Sequence, residues 1–173
     1  MTIRKILTEP DPFLRQTSYE VEKVDGEIRK LIDDMLETMY AAPGIGLAAI
    51  QIGVPKRVIV IDLSKEEKKK PLYFVNPKII VSSEDNSTYE EGCLSVPGQF
   101  AEVERPNKCH VSYLDYDGQK KELKAEGLLA TCIQHEIDHL EGILFIDYLS
   151  KLKKNYIVKK LSKQKKVLER IVV

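Results

Sequence analysis

Cysteine and histidine are scarce in this chain: three of each among 173 residues. An odd cysteine count without a secretion signal argues against a disulfide framework and for a reducing, cytoplasmic setting. The opening Met1-Thr2-Ile3-Arg4-Lys5 leads into charged, proline-containing sequence, so no signal peptide is expected. No stretch approaches the roughly 18 apolar residues of a membrane span, and no membrane partner is expected. Internal repeats and long flexible linkers are missing too. Net charge is zero, with 27 basic residues against 27 acidic ones, but the balance is uneven. Residues 151–173 hold nine Lys/Arg and one acid, Glu169, so that segment is +8 and the remainder −8. Such asymmetry points to a polyanionic partner for the tail.

The apolar content, 43%, is enough for one compact domain with a real core. Ile28, Leu31, Ile32, Met35, Leu36 and Met39 fall at helical spacing, which predicts an amphipathic helix over 26–41. Asp25 is placed to cap it, and Pro43 with the glycines ends it. Val58 to Ile61 reads as a short buried strand, 64–70 as a charged loop, and Leu72 to Val81 as a strand with an edge or bulge at Pro77. A strand over Tyr89 to Ser95 follows. Lys108 to Tyr116 and Gln119 to Ala125 flank Asp117-Gly118, the pattern of a β-hairpin. Leu128 to Leu140 reads as a helix, and a second long helix, basic on one side, starts near Tyr148. Helices and strands are segregated, which predicts an α+β fold: one domain, antiparallel or mixed sheets around a central helix, and a C-terminal helix. The expected division is a catalytic core over 1–150 and a basic helical extension of the same domain over 151–173.

The chemistry concentrates in Gln134-His135-Glu136-Ile137-Asp138-His139. On a helix, residues four apart have Cβ atoms roughly 5–6 Å apart, so His135 and His139 can chelate one ion. Glu136 can then reach a water on that ion and handle its proton. Asp138 is either a partner that orients a ligand or a solvated helix charge. Gly44-x-Gly46-x-x-Ala49 superficially matches a dinucleotide fingerprint, but that motif follows a strand and opens a helix, and here the predicted order is reversed. The glycines instead let backbone pass close to a substrate. Cys109 and Cys132 read as small buried hydrophobes. His110 stands alone between strand residues and is given no role.

Three stretches, Gly44-Ile45-Gly46-Leu47-Ala48-Ala49-Ile50-Gln51, Glu91-Gly92-Cys93-Leu94-Ser95 and the histidine motif, in this order, together resemble peptide deformylase. Those enzymes remove the N-terminal formyl group from new bacterial, mitochondrial and plastid polypeptides. The resemblance runs from about residue 3 to about residue 150, and the basic tail is like that of longer-tailed bacterial members. It implies a metal-dependent amide hydrolase in which Cys93 joins His135 and His139 as the third ligand and Glu136 carries the proton. By the same resemblance the Gln51 side-chain amide and the Leu94 backbone N–H face the developing oxyanion.

Substrate contacts implied in this way are Gly44, Ile45, Gly46, Tyr89, Glu91, Gly92, Leu128, Thr131 and Cys132. Thr131 is more polar than the aliphatic residue expected there. Glu91 is expected to pair with Arg105 across neighbouring strands, an exposed contact of about 0–1 kcal/mol. The cofactor implied is one divalent ion, Fe2+ by resemblance, with Zn2+, Ni2+ and Co2+ compatible with the donors. The partner is a formyl-methionyl peptide, and no DNA is expected. The basic tail is either a plain solvated face or a dock on ribosomal RNA. Two other functions compete: a generic H-E-x-x-H metallopeptidase, which predicts neither the Cys93 segment nor Gln51, and a non-catalytic binding module with a degenerate site, which the intact set of residues argues against.

Overall fold

The computed structural model describes residues 2–64 and 68–171. Of the charged loop expected at 64–70, residues 65–67 lie outside that description. Helix α1, Gly26–Ala41, buries Ile28, Leu31, Ile32, Met35 and Met39. The Asp25 carboxylate accepts from the N–H groups of Glu27 and Ile28 at 3.0 Å each and satisfies two donors that the first turn leaves open. Replacing it, Asp25→Ala, is expected to cost about 1 kcal/mol in urea unfolding and to leave the site untouched.

A five-stranded antiparallel sheet has the order β1-β2-β3-β6-β7, with β1 Gly46–Ala48, β2 Val58–Ile61, β3 Leu72–Ser82, β6 Lys108–Leu114 and β7 Lys120–Glu126. All four residues of β2 are fully buried. The alternation of a strand explains why: Val58 and Val60 join the α1 cluster, while Ile59 and Ile61 pack on the other face, toward helix α2, Gly127–Leu140. Leu47 and Ala48 of β1 divide in the same way. The metal-motif helix therefore lies against the sheet face opposite α1, and Ala130, Ile133 and Leu140 hold it there.

The second sheet is a hairpin of β4, Asn86–Cys93, and β5, Val96–Pro106. It carries Cys93 at its tip, where the pairing shifts after Gly92↔Phe100 to Cys93↔Val96. Helix α3, Lys151–Ile171, packs Ile157 and Leu161 into a third cluster with Val96, Ala101, Val103 and Phe145.

Several expectations are completed or corrected. The strand neighbouring Glu91 on which Arg105 is expected has no predicted bounds, and the structure supplies them as β5. Of the two alternatives expected at Pro77 the bulge is the one present, where the ladder of β3 with β6 shifts between Val75 and Lys78. The hairpin turn is longer than Asp117-Gly118. Leu114 pairs with Lys120, and the Asp115 carboxylate accepts from the N–H groups of Asp117 and Gln119, with Gly118 at φ 79°. Finally, α3 starts at Lys151, since Phe145–Tyr148 forms a separate 3-10 turn.

Candidate active site

The hairpin tip meets α2 along one side of the helix. His135 and His139 lie one turn apart, with ring centroids 5.1 Å apart and planes at 71°. His139 Nε2 stands 3.3 Å from Cys93 Sγ, and donor atoms of Cys93, His135 and His139 all lie within 4.8 Å of one another. Around a tetrahedral ion with M–S about 2.3 Å and M–N about 2.0–2.1 Å, donor–donor edges come to roughly 3.3–3.6 Å. The Cys93–His139 sulfur–nitrogen distance, 3.3 Å, lies within a few tenths of an ångström of such an edge, and a soft thiolate with two imidazoles suits a first-row divalent ion. The residues present therefore fit such a cation.

Orientation of the donors comes from their neighbours. His135 Nδ1 lies 2.9 Å from Glu91 Oε2, which leaves Nε2 facing the sulfur. Burial opposes charge on His135, but Cys93 and Glu91 outweigh it, and the ring is held well above its ordinary pKa. His139 moves the other way: burial, and then the neighbouring His135, push it well below the ordinary value and keep it neutral. Its Nδ1 is buried without a hydrogen-bond partner among the described residues.

Glu91 is not part of an exposed pair. Arg105 Nε and Nη2 reach its two oxygens at 2.6 and 3.1 Å, and the two side chains are 3% and 5% exposed. Burial alone would raise the Glu91 pKa, yet His135 and Arg105 hold it below the usual carboxylate range. The expected surface contact of about 0–1 kcal/mol is thus replaced by a buried ionic cluster. Sequence could not signal this, because the cover comes from α2 and the 3-10 turn closing over the hairpin. Among the described residues the Asp138 carboxylate has no hydrogen bond to either histidine. Its Oδ2 accepts from Arg105 Nη1 at 2.8 Å and from the Tyr148 hydroxyl at 2.7 Å.

Glu136 is 5% exposed, and its Oε2 is buried with no partner among the described residues. Burial, aided by the Glu91 charge and opposed by His135, pushes its carboxyl up to about 7. A Cβ at Gly46 would collide with the Glu136 carboxyl, and one at Gly44 would come within 2.7 Å of Leu94 Cδ1. Both glycines thus leave room for side chains of the site rather than for phosphates. Gln51 is 1% exposed. Its Oε1 accepts from the Ala48 N–H at 2.8 Å, which turns Nε2 toward Ser95 Oγ at 3.0 Å and Cys93 Sγ at 3.5 Å.

A cavity of about 450 Å3 opens over these groups. Gly44, Ile45, Gly46, Tyr89, Glu91, Gly92, Leu94, Leu128, Thr131 and Cys132, all singled out in the sequence, line it beside Gln51, Cys93, His135 and Glu136. His139 lies deeper, against Cys93. Pro43, Glu90, Pro97, Gly98 and Phe100 also line the cavity and were missed. Phe100 lies over Gly92, where an added Cβ would stand 2.5 Å from its ring. The register shift between Gly92 and Cys93 is what sets Phe100 opposite Gly92, and no local pattern in the sequence signals it. Cys109 is a buried hydrophobe, whereas Cys132 is buried and lines the cavity as well. Burial, with Glu136 and Glu91 nearby, pushes the Cys132 thiol up to about 12 and keeps it uncharged. His110 meets Glu122 at 2.9 Å, away from the site.

A sulfur and two imidazoles converging beside a buried carboxyl, at the base of an apolar cleft in an α+β domain, make this chain a metal-dependent hydrolase in class. The polypeptide deformylase family model matches residues 3–155. A peptide deformylase of Pelagibacter ubique is 68% identical over 174 residues, spanning all of both chains. One of Rhizobium meliloti is 60% identical, covering 96% of each. Among solved structures, peptide deformylase from Ehrlichia chaffeensis in complex with actinonin superposes with TM-score 0.91 at 48% identity, over 95% of this chain and 98% of that one. The Legionella pneumophila enzyme gives 0.90 at 48%, over 98% and 99%. The chain belongs to the polypeptide deformylase family.

Proposed function

We propose that this chain hydrolyses the N-terminal formyl group of formyl-methionyl nascent peptides, releasing formate and a free amine. The observation that carries the reading is the convergence of Cys93 Sγ, His135 and His139 within 4.8 Å beside the buried Glu136. Cys93, His135 and His139 would hold one divalent ion, Fe2+ in the resembling enzymes. Such an ion acidifies a water and polarises a carbonyl oxygen when bound. The remaining work falls to the chain. Glu136, with its carboxyl raised toward neutrality, takes a proton from the attacking water and delivers it to the leaving amine. Gln51 Nε2, locked by the Ala48 N–H, and the Leu94 backbone N–H donate to the oxygen that gains charge as the formyl carbon becomes tetrahedral. Apolar cleft residues Ile45, Leu128 and Cys132 take the methionine side chain, with Thr131 beside them. The peptide backbone lies along Tyr89–Gly92 as an added strand.

Formate release from a formyl-Met peptide, with an internal peptide bond as control, tests the reading. Release of formate with the internal bond intact supports it, and cleavage of the internal bond alone overturns it. Anaerobic metal analysis matched to activity tests Fe2+.

A cytoplasmic site of action fits this substrate, and among the described residues no helix is long and apolar enough to cross a membrane. The tail would dock on ribosomal RNA, a reading supported by Lys151, Lys153, Lys159, Lys160, Lys163, Lys165 and Lys166 standing exposed on α3. Ribosome binding should then weaken steeply as salt rises, with a log–log slope near −0.7 to −0.9 per phosphate contacted. Lys→Gln changes at 159, 160, 163 and 166 should flatten that slope in co-sedimentation.

A further inference from the structure

A line of contacts leads from the His135 ring to the surface. His135 Nδ1 lies 2.9 Å from Glu91 Oε2, and Arg105 grips Glu91 with two nitrogens. Arg105 Nη1 donates to Asp138 Oδ2 at 2.8 Å, and the same oxygen accepts from the Tyr148 hydroxyl at 2.7 Å. The Tyr148 ring faces the guanidinium, with Arg105 Cζ 4.7 Å from its centroid. Arg105 and Glu91 are buried, whereas Tyr148 is 50% exposed and closes the line against water. The same 3-10 turn begins with Phe145, whose ring stacks on His135 at 6.3 Å and 22°. One four-residue turn therefore holds His135 twice, directly through Phe145 and at a distance through Tyr148.

We propose that Tyr148 is a positioning residue for His135. Arg105 has five donors and four acceptor oxygens around it, two on Glu91, one on Asp138 and, at 3.4 Å, the Tyr148 hydroxyl, so its bidentate grip on Glu91 is only one of the ways it can turn. Tyr148 removes the alternatives. Its hydroxyl pins the Asp138 oxygen that anchors Nη1, and its ring covers the open face of the guanidinium and excludes water there. Glu91 is then held with one oxygen on Nδ1 of His135, which fixes the tautomer and aims Nε2 at Cys93. Outer partners of this kind typically change metal affinity by about 10–100-fold when lost.

The inference rests on His135 being a metal ligand, and the test separates the two. Full-length protein loaded with Co2+ is mixed with a chromophoric chelator, and the rate of metal transfer is followed for wild type, Tyr148→Phe and Tyr148→Ala, alongside their melting temperatures. Tyr148→Ala should release metal about 10-fold faster, lower kcat with KM unchanged, and shift the Co2+ absorption bands. Tyr148→Phe, which keeps the ring, should fall between it and wild type. Acceleration in either variant supports the proposal. Release at the wild-type rate in both, with or without a fall in melting temperature, overturns it and leaves Tyr148 a packing residue. If His135→Ala still bound Co2+ as tightly as wild type, the ligand reading underneath would fall instead.

Discussion

Glu136→Gln is expected to lower kcat by about 10³-fold, within the 10²–10⁴ range for a positioned acid–base group, while metal content and melting temperature stay at wild-type values. The side chain sits in a socket. Gly46 contributes no Cβ, and the carboxyl occupies the space one would fill. One carboxyl oxygen is buried without a partner among the described residues. A carboxyl kept near neutrality by burial can hold or release a proton at working pH, and glutamine of the same shape can do neither. Formate release under anaerobic conditions, normalised to bound metal, measures the effect. A metal-loaded variant with near wild-type kcat would remove Glu136 from the proton path.

Arg105→Met should cost roughly 3–5 kcal/mol of stability, because it leaves Glu91 and Asp138 without the cation they share. An exposed pair would cost no more than about 1 kcal/mol, so urea unfolding of the metal-free proteins discriminates sharply. The pH dependence carries a sign. Arg105 and His135 hold the Glu91 carboxyl below its ordinary value. Its contribution is therefore present above the ordinary carboxylate range and is lost as pH falls through the lowered pKa. The gap between wild type and Arg105→Met should be widest near neutrality and narrow in acid. A gap that stayed constant into acid would mean that methionine fails for reasons of packing rather than charge.

Helices α1 and α2 and strand β2 were legible because each follows a simple rule. Apolar residues recur at helical spacing in the first two, and four β-branched residues in a row mark a strand buried on both faces. The coming together of residues 44–51, 91–95 and 134–139 could be anticipated from their motifs. What escaped was set by tertiary contact. β5 opens with Val96-Pro97-Gly98, which punctuates like a loop, and it holds a strand only because β4 pairs with it along its length. Phe100 stayed hidden with it. Arg105 reads as a surface residue in any local window. Nothing near it in sequence announces that Tyr148, 43 positions on, will cover its guanidinium. The Asp-Gly turn was misjudged for a related reason: Asp115, not Asp117, collects the free N–H groups.

The three donors do not belong to one sheet. Cys93 ends the small β4–β5 hairpin, and both imidazoles sit on a helix packed against the larger sheet. An ion held by all three ties two separately hydrogen-bonded units together. Folding is then linked to free metal: once the site is saturated, each further tenfold rise in concentration adds about 1.4 kcal/mol to the native state. Amide exchange in the hairpin is then expected to track metal supply before exchange in the large sheet does, with loosening beginning at Cys93.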